Sequence, residues 1–192
     1  MPEAAETAVE AKEKDRTVAL LIAILALLLA LSEAGAKRAQ HFSTEKNIEA
    51  SDLFNFYQAK RVRSSIAETA AAALEAQKVA APPMAQEAFD RQIGAFKAAV
   101  ARYEKDPKKP EDSLDALQER ASALLEAREF ANRRLENYEF SSGALQIAIV
   151  LASAAIITGA NALLWMSVGL GVIGAVLAAL GLLAPVALPM MG

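Results

Sequence analysis

The chain consists of two long apolar blocks separated by a polar segment. The first block reads VALLIAILALLLAL at residues 18–31, and its apolar character continues to Ala36. Residues 17–36 supply about 20 residues, which is the length that an α-helix needs to cross a bilayer. We therefore expect the first transmembrane helix at 17–36. A cleaved signal peptide is disfavoured because acidic residues outnumber basic ones before the run.

The second apolar block starts near Ala144 and is too long for one span. Gly159 and Asn161 are turn-forming residues that interrupt it, and Pro185 closes it. The pattern predicts transmembrane helices at 142–160 and 163–184, joined by a short turn as an antiparallel hairpin.

The polar segment between the spans lacks the alternation of Val, Ile and Thr that indicates strands. Pro82 and Pro83 end a first helix, because proline disfavours helical continuation. Asp112 or Ser113 is a suitable N-cap for a third helix. The predicted helices of this soluble domain, residues 37–141, are 37–81, 84–105 and 112–141.

The predicted fold class is all-α, with three transmembrane helices and a long-helix, coiled-coil-like soluble domain between spans one and two. Residues 1–16 form a polar N-terminal tail and residues 185–192 a C-terminal tail. The sequence leaves open whether the first helix is continuous from the membrane to Ala81. A break near HFSTEKN, with Ser43 or Thr44 as N-cap, is the alternative.

Apolar residues in the second and third helices of this domain recur at alternating intervals of three and four. This spacing is typical of coiled-coil seams, which bury against partner helices. We expect core packing here and no ligand role. The seam residues are Phe89, Ile93, Phe96, Val100 and Tyr103 in the second helix, and Leu114, Leu117, Ala121, Leu124, Arg128, Ala131, Leu135 and Tyr138 in the third.

The stretch SDLFNFYQAKRVRSS at residues 51–65 mixes aromatic and basic residues. At about 100° per residue, Phe54, Tyr57 and Arg61 fall opposite an aliphatic face. We expect the aliphatic face to pack within the chain and Phe54, Tyr57 and Arg61 to form a subunit interface. Intrachain packing and binding of nucleic acid or lipid headgroups are the alternatives. The aliphatic face comprises Ile48, Asn55, Ala59, Val62, Ile66 and Ala73.

Small residues recur in the third span, within LGVIGAVLAALG. Small side chains let membrane helices approach closely. We expect Gly171, Gly174, Ala178 and Gly181 to pack against another span, with a pore lining as the alternative.

Composition limits the chemistry of the protein. The 192 residues are 54% hydrophobic, carry a net charge of −3 and include no Cys and one His. Thiol chemistry is excluded, and the net charge argues against nucleic acid as a partner. His41, Glu45 and Glu49 share one helix face, which we interpret as a solvated face and not a metal site. We expect no catalytic residues, no cofactor and no metal.

The segment NIEASDLFNFYQAKRVR, residues 47–63, resembles the signature stretch of domain-of-unknown-function family 4337. The order of one span, a helical domain and two further spans is also similar to that family. The resemblance implies a bacterial inner membrane and this architecture, and it implies no particular chemistry.

These patterns favour a non-enzymatic, homo-oligomeric membrane scaffold or interaction protein. A channel or transport component with a path along the oligomer axis is the alternative. The expected partners are the lipid bilayer, further copies of the chain and an unidentified protein bound to the soluble domain.

Basic residues near the span ends predict the orientation, because they are retained on the cytoplasmic side. Six lie on the soluble-domain side and three on the other, so we expect the domain in the cytoplasm. The six are Lys37, Arg38, Lys46, Arg128, Arg133 and Arg134, and the three are Lys12, Lys14 and Arg16.

Single cysteines test this orientation, since the chain has none. We expect a cysteine at Ser113 to resist an impermeant thiol reagent applied to intact cells, and one at Ala162 to be labelled. The opposite labelling pattern would place the soluble domain outside the cytoplasm.

Overall fold

The described part of the protein is all-α. A computed structural model describes the backbone of residues 2–185 and the side chains of residues 16–185, so most of both predicted tails lies outside the described side chains. No strand occurs among the described residues, which confirms the predicted fold class. The elements are α1 (Pro2–Val79), α2 (Pro83–Glu104), a 3-10 turn (Pro110–Asp112), α3 (Leu114–Thr158) and α4 (Asn161–Leu183).

Helix α1 is continuous, so the alternative of a break near HFSTEKN is wrong. Its interior contains no proline after Pro2 and a single glycine, Gly35, so nothing in the sequence forces an interruption. Ser43, the N-cap candidate of that alternative, lies within the helix, and its hydroxyl donates a hydrogen bond to Asn132 Oδ1 of α3 at 2.6 Å. Helices α1, α3 and α4 are each long and apolar enough to cross a membrane.

The helix ends follow from local sequence. Pro83 is the first residue of α2, where its missing N–H costs nothing. The Ser113 hydroxyl accepts a hydrogen bond from the Ala116 N–H at 3.3 Å, which confirms Ser113 as the N-cap of α3. Gly159, with φ of +70°, separates α3 from α4, because glycine adopts this conformation without strain.

The contacts between helices divide the chain into two compact units. We call the unit formed by residues up to Ser43 and from Glu129 onward the apolar bundle, and the unit Thr44–Arg128 the polar bundle. Helices α1 and α3 contribute to both units. The apolar bundle also contains α4, and the polar bundle also contains α2.

Helix α1 contributes only small side chains to the fully buried core of the polar bundle, whereas α2 and α3 also contribute large ones. Every seam residue predicted in α3 is buried or half-buried, whereas in the α2 seam Phe96 is exposed. Together with half-buried Tyr57, the buried residues of α1 in this unit follow intervals of three, four and seven, as in a coiled coil. The buried residues of this unit include Ala50, Ser64, Ala67, Ala71, Ile93, Leu114, Leu117 and Ala121.

The expectation that the aliphatic face of α1 packs within the chain is wrong. Ile48, Val62 and Ile66 are 56%, 58% and 62% exposed, whereas Ser64 and Ala67 are buried. The reason is that α1 packs through its smallest residues, which permit close helix approach. The more hydrophobic face of α1 is therefore the one that the chain leaves exposed.

In the apolar bundle the three helices meet around Leu25, Leu145 and Ala148. Two glycines of α4 lie directly against these leucines. A Cβ at Gly171 would lie 2.6 Å from Leu25 Cδ2, and one at Gly174 would lie 2.7 Å from Leu145 Cγ. A larger side chain at Gly171 or Gly174 would therefore overlap one of these two leucines.

Buried serines connect the helices of the apolar bundle. The Ser32 hydroxyl of α1 donates to the Tyr138 carbonyl at 3.1 Å. Ser141 of α3 donates to the Gly174 carbonyl, and Ser167 of α4 donates to the Ala148 carbonyl, each at 2.7 Å. Polar groups in an apolar environment need internal partners, and such interhelical bonds contribute about 0.6 kcal/mol each.

Replacing Gly174 by leucine tests this packing. We expect Gly174→Leu to destabilise the protein by about 1–3 kcal/mol, because its side chain overlaps Leu145. The matched control is Gly169→Leu on the same helix, where an added Cβ meets nothing within 4 Å. The measurement is thermal unfolding in detergent. Equal unfolding temperatures for the two variants would show that α4 does not pack through Gly174.

Candidate functional site

The described titratable residues include no cluster that could hold a metal ion. No group of three or more His, Cys, Asp or Glu side chains within metal-binding reach occurs among the described residues. His41 is exposed, while Glu45 and Glu49 both pair with Lys46. The hydrogen bond to Glu49 raises the pKa of Lys46 and favours its charged form. These residues form a local ion-pair group on the surface of α1.

The basic residues of the stretch 51–65 have different environments. Lys60 donates a hydrogen bond to the carbonyl oxygen of Asp112 at the end of the 3-10 turn. Its ammonium group also lies 5.1 Å from the centre of the Phe56 ring, within the range of a cation–π contact. Arg61 and Arg63 are exposed. Lys60 therefore connects the 3-10 turn to α1. These contacts within the chain account for its position without a bound phosphate.

The structure does not bring Phe54, Tyr57 and Arg61 together on one exposed surface. Tyr57 is half-buried and lies seven residues from both Ala50 and Ser64, on the packed face of α1. Phe54 is 37% exposed and Arg61 is exposed. Tyr57 thus belongs to the packing within the polar bundle, and a subunit contact through Phe54 and Arg61 stays a prediction.

A different surface of the polar bundle is apolar, exposed and regular. We call it the outward stripe, and define it as the aliphatic face named above. Its members follow one another at intervals of three, four or seven residues, the repeat of a coiled-coil seam. All six are exposed: Ile48, Asn55, Ala59, Val62, Ile66 and Ala73.

The apolar bundle contains a cavity of about 920 Å³ bordered by α1, α3 and α4. It lies at the ends of the three apolar segments where the basic residues are found. Exposed apolar side chains surround it, including Leu31, Phe42 and Phe130. Its other lining residues are Leu28, Ser32, Ala34, Gly35, Arg38, Ala39, Ala131, Arg134, Tyr138, Ala175, Ala178, Ala179 and Leu182.

Tyr138 of α3 forms one wall of the cavity and is 6% exposed. Its ring lies between glycines of the other two helices. A Cβ at Gly35 would lie 2.6 Å from Tyr138 Cζ, and one at Gly181 would lie 3.2 Å from the same ring atom. The tyrosine therefore sets the separation of α1 and α4 at this end of the bundle.

Among the described lining residues of the cavity, two arginines carry the formal charges. Arg134 Nε donates to the Gly181 carbonyl at 2.9 Å, which satisfies one of the free carbonyls in the last turn of α4. Arg38 lies on the exposed side of α1. Neither arginine forms an ion pair with another described side chain. The cavity is thus apolar along its walls and positively charged at its rim.

The four residues predicted to pack in the third span all lie against other helices or the cavity. Gly171, Gly174 and Gly181 are buried, and Ala178 lines the cavity. Sequence reasoning did not single out Ser32 or Gly35 as functional, and it interpreted Arg134 as an ordinary basic residue beside a span. Each is a small or charged residue near the end of an apolar run, and this signal becomes informative only once the facing helix is known.

The chain belongs to a family described as a domain of unknown function (DUF4337), whose model matches residues 14–184. The match spans both bundles and all three apolar helices. No curated protein and no solved structure matches the chain.

Proposed function

We propose that the protein is a non-enzymatic, homo-oligomeric membrane scaffold. The observation that carries this proposal is the outward stripe, a regular apolar surface that the folded chain does not cover itself. Coiled-coil spacing on an exposed helix face is suited to a partner helix of the same spacing.

The proposal places α1, α3 and α4 across a bacterial cytoplasmic membrane, with the polar bundle in the cytoplasm. Their length and apolar composition support the membrane location. The excess of Lys and Arg beside the polar segment supports the orientation. The resemblance of residues 47–63 to its family supports the bacterial host.

The partner that best fits the outward stripe is a second copy of the chain. Copies inserted in one membrane with the same orientation present parallel α1 helices, so the stripe of one copy can meet the same stripe of the next. Asn55 is the one polar member of the stripe. A single asparagine in an apolar seam favours one register and one number of strands, which is a device for self-recognition.

A channel is the second candidate, and it requires a path between copies because Leu25, Leu145 and Ala148 fill the centre of the apolar bundle. The described parts of the three apolar helices carry no charged side chain between Val18 and Ala30, Ala144 and Thr158, or Asn161 and Leu183. The scaffold proposal expects no ion flux from the protein reconstituted in vesicles. A conductance that depends on the protein would favour the channel.

Placing aspartates in the outward stripe tests self-association. We expect Val62→Asp with Ile66→Asp to shift the detergent-solubilised protein from oligomer to monomer while its helicity is retained. Burying each aliphatic side chain contributes roughly 1.5–3 kcal/mol, and a symmetric contact loses this on both sides. The measurements are mass by light scattering and far-ultraviolet circular dichroism.

The control for this experiment is Val79→Asp with Met84→Asp. These residues are 88% and 97% exposed and lie outside the outward stripe, so the same charge change should leave the mass unaltered. A loss of helicity in the Val62/Ile66 variant would show that the stripe packs within the chain. An oligomer that survives the substitution would contradict assembly through the stripe.

A further inference from the structure

The cavity of the apolar bundle has the two features that an amphiphilic ligand requires. Its walls are formed by aliphatic, aromatic and small side chains, among them Leu28, Phe42 and Leu182. Its volume of about 920 Å³ is at the upper end of the range for ligand pockets, roughly 300–1,000 Å³. The cavity is open at its edge, since its lining residues Leu31 and Leu182 are more than 60% exposed.

The charge of the lining determines which amphiphile fits. Arg38 and Arg134 line the cavity, and none of the other described lining residues is acidic. A guanidinium has five N–H donors, and the Arg134 group uses its Nε on the Gly181 carbonyl. Guanidinium groups bind phosphate oxygens with paired hydrogen bonds. An occupant with an anionic phosphate and an apolar chain is therefore complementary to this cavity.

The two arginines lie at the ends of the apolar segments, which is the depth in a bilayer at which lipid headgroups are found. Arg38 follows the first apolar segment, which ends at Ala36, and Arg134 precedes the second, which starts near Ser142. Charged groups at the ends of spans reach the polar layer of the bilayer, whereas residues such as Leu28 lie deeper. From its rim inward, the cavity thus offers basic and then apolar side chains. This is the order in which the phosphate and the acyl chains of a membrane lipid lie.

We infer that the cavity binds a phospholipid with an anionic headgroup. Its phosphate contacts Arg38 and Arg134, and one acyl chain lies against Leu28, Ala178 and Ala179. The lipid fills the space that the three helices leave open beside Tyr138. This inference rests on the proposed membrane location but not on self-association, so the mass of the oligomer is measured separately below.

The test compares two lipids on the full-length protein after delipidation in detergent. Native mass spectrometry and thermal unfolding are followed as phosphatidylglycerol or phosphatidylcholine is added at equal concentrations. We expect one phosphatidylglycerol to bind per chain and to raise the unfolding temperature more than phosphatidylcholine does. Glycerol phosphate, which lacks acyl chains, should produce no shift. Equal effects of the two lipids, or a shift with glycerol phosphate alone, would overturn the inference.

Matched variants locate the headgroup. We expect Arg38→Gln to weaken phosphatidylglycerol binding about fivefold, which corresponds to ~1 kcal/mol for one basic residue beside an anionic lipid. Lys37→Gln removes the same charge from the neighbouring residue, which does not line the cavity, and should leave binding nearly unchanged. Equal losses in both variants would mean general electrostatic attraction and would overturn a specific site.

A second pair of variants locates the acyl chain. Ala179 is exposed and lines the cavity, so Ala179→Phe should fold and exclude the chain. Val176→Phe adds a comparable side chain to an exposed position of α4 outside the cavity and should bind lipid normally. Unchanged binding to Ala179→Phe would overturn the inference. A loss of oligomer mass in that variant, with lipid binding retained, would instead identify a second copy as the occupant.

Discussion

Close approach of helices through small side chains is the constraint on which both bundles depend. In the apolar bundle, Gly171 and Gly174 leave room for Leu25 and Leu145, and Gly35 and Gly181 leave room for the Tyr138 ring. In the polar bundle, Ala50, Ala67 and Ala71 serve the same purpose on α1. Since lipid is as apolar as leucine, spans gain little from burying large side chains, and packing favours small ones.

This constraint also explains the surfaces that remain. A helix that turns its small residues inward must turn its large ones outward, and Val62 and Ile66 are exposed for this reason. In the apolar bundle the same arrangement leaves residues such as Leu27 and Val176 facing outward, as suits helices that are long and apolar enough to cross a membrane. In the polar bundle, which the proposal places outside the membrane, the outward stripe is the surface that we propose to pack against another helix. One packing rule thus accounts for the exposed apolar side chains of both bundles.

Much of the fold could be predicted from the sequence, because long apolar runs, prolines and Gly159 determine where helices begin and end. The seam of α3 was predicted as well, since Leu114, Leu117 and Ala121 combine apolar character with regular spacing. The buried face of α1 was assigned wrongly. Ser64 and Ala67 carry less hydrophobicity than Val62 and Ile66, and only the closeness of the facing helices shows that they are buried.

The candidate cavity was beyond sequence reasoning for a related reason. Arg38 and Arg134 are far apart in the chain, and each is an ordinary basic residue beside a span. Their shared cavity follows from Tyr138, which holds α1 and α4 apart by its ring. The contact of Tyr138 with Gly35 and Gly181 determines the distance between α1 and α4. The sequence of any one helix does not reveal a contact that involves all three.

The central claim is that copies of the chain meet along the outward stripe, and a cysteine scan from Ile48 to Ile66 tests it most directly. The chain has no cysteine of its own, so each single-cysteine variant forms a disulfide only between molecules. In native membranes, oxidative cross-linking should peak at Ile48, Asn55, Val62 and Ile66, where the two stripes meet within disulfide reach. Peaks at Phe54 and Arg61, or no periodic cross-linking, would contradict the claim.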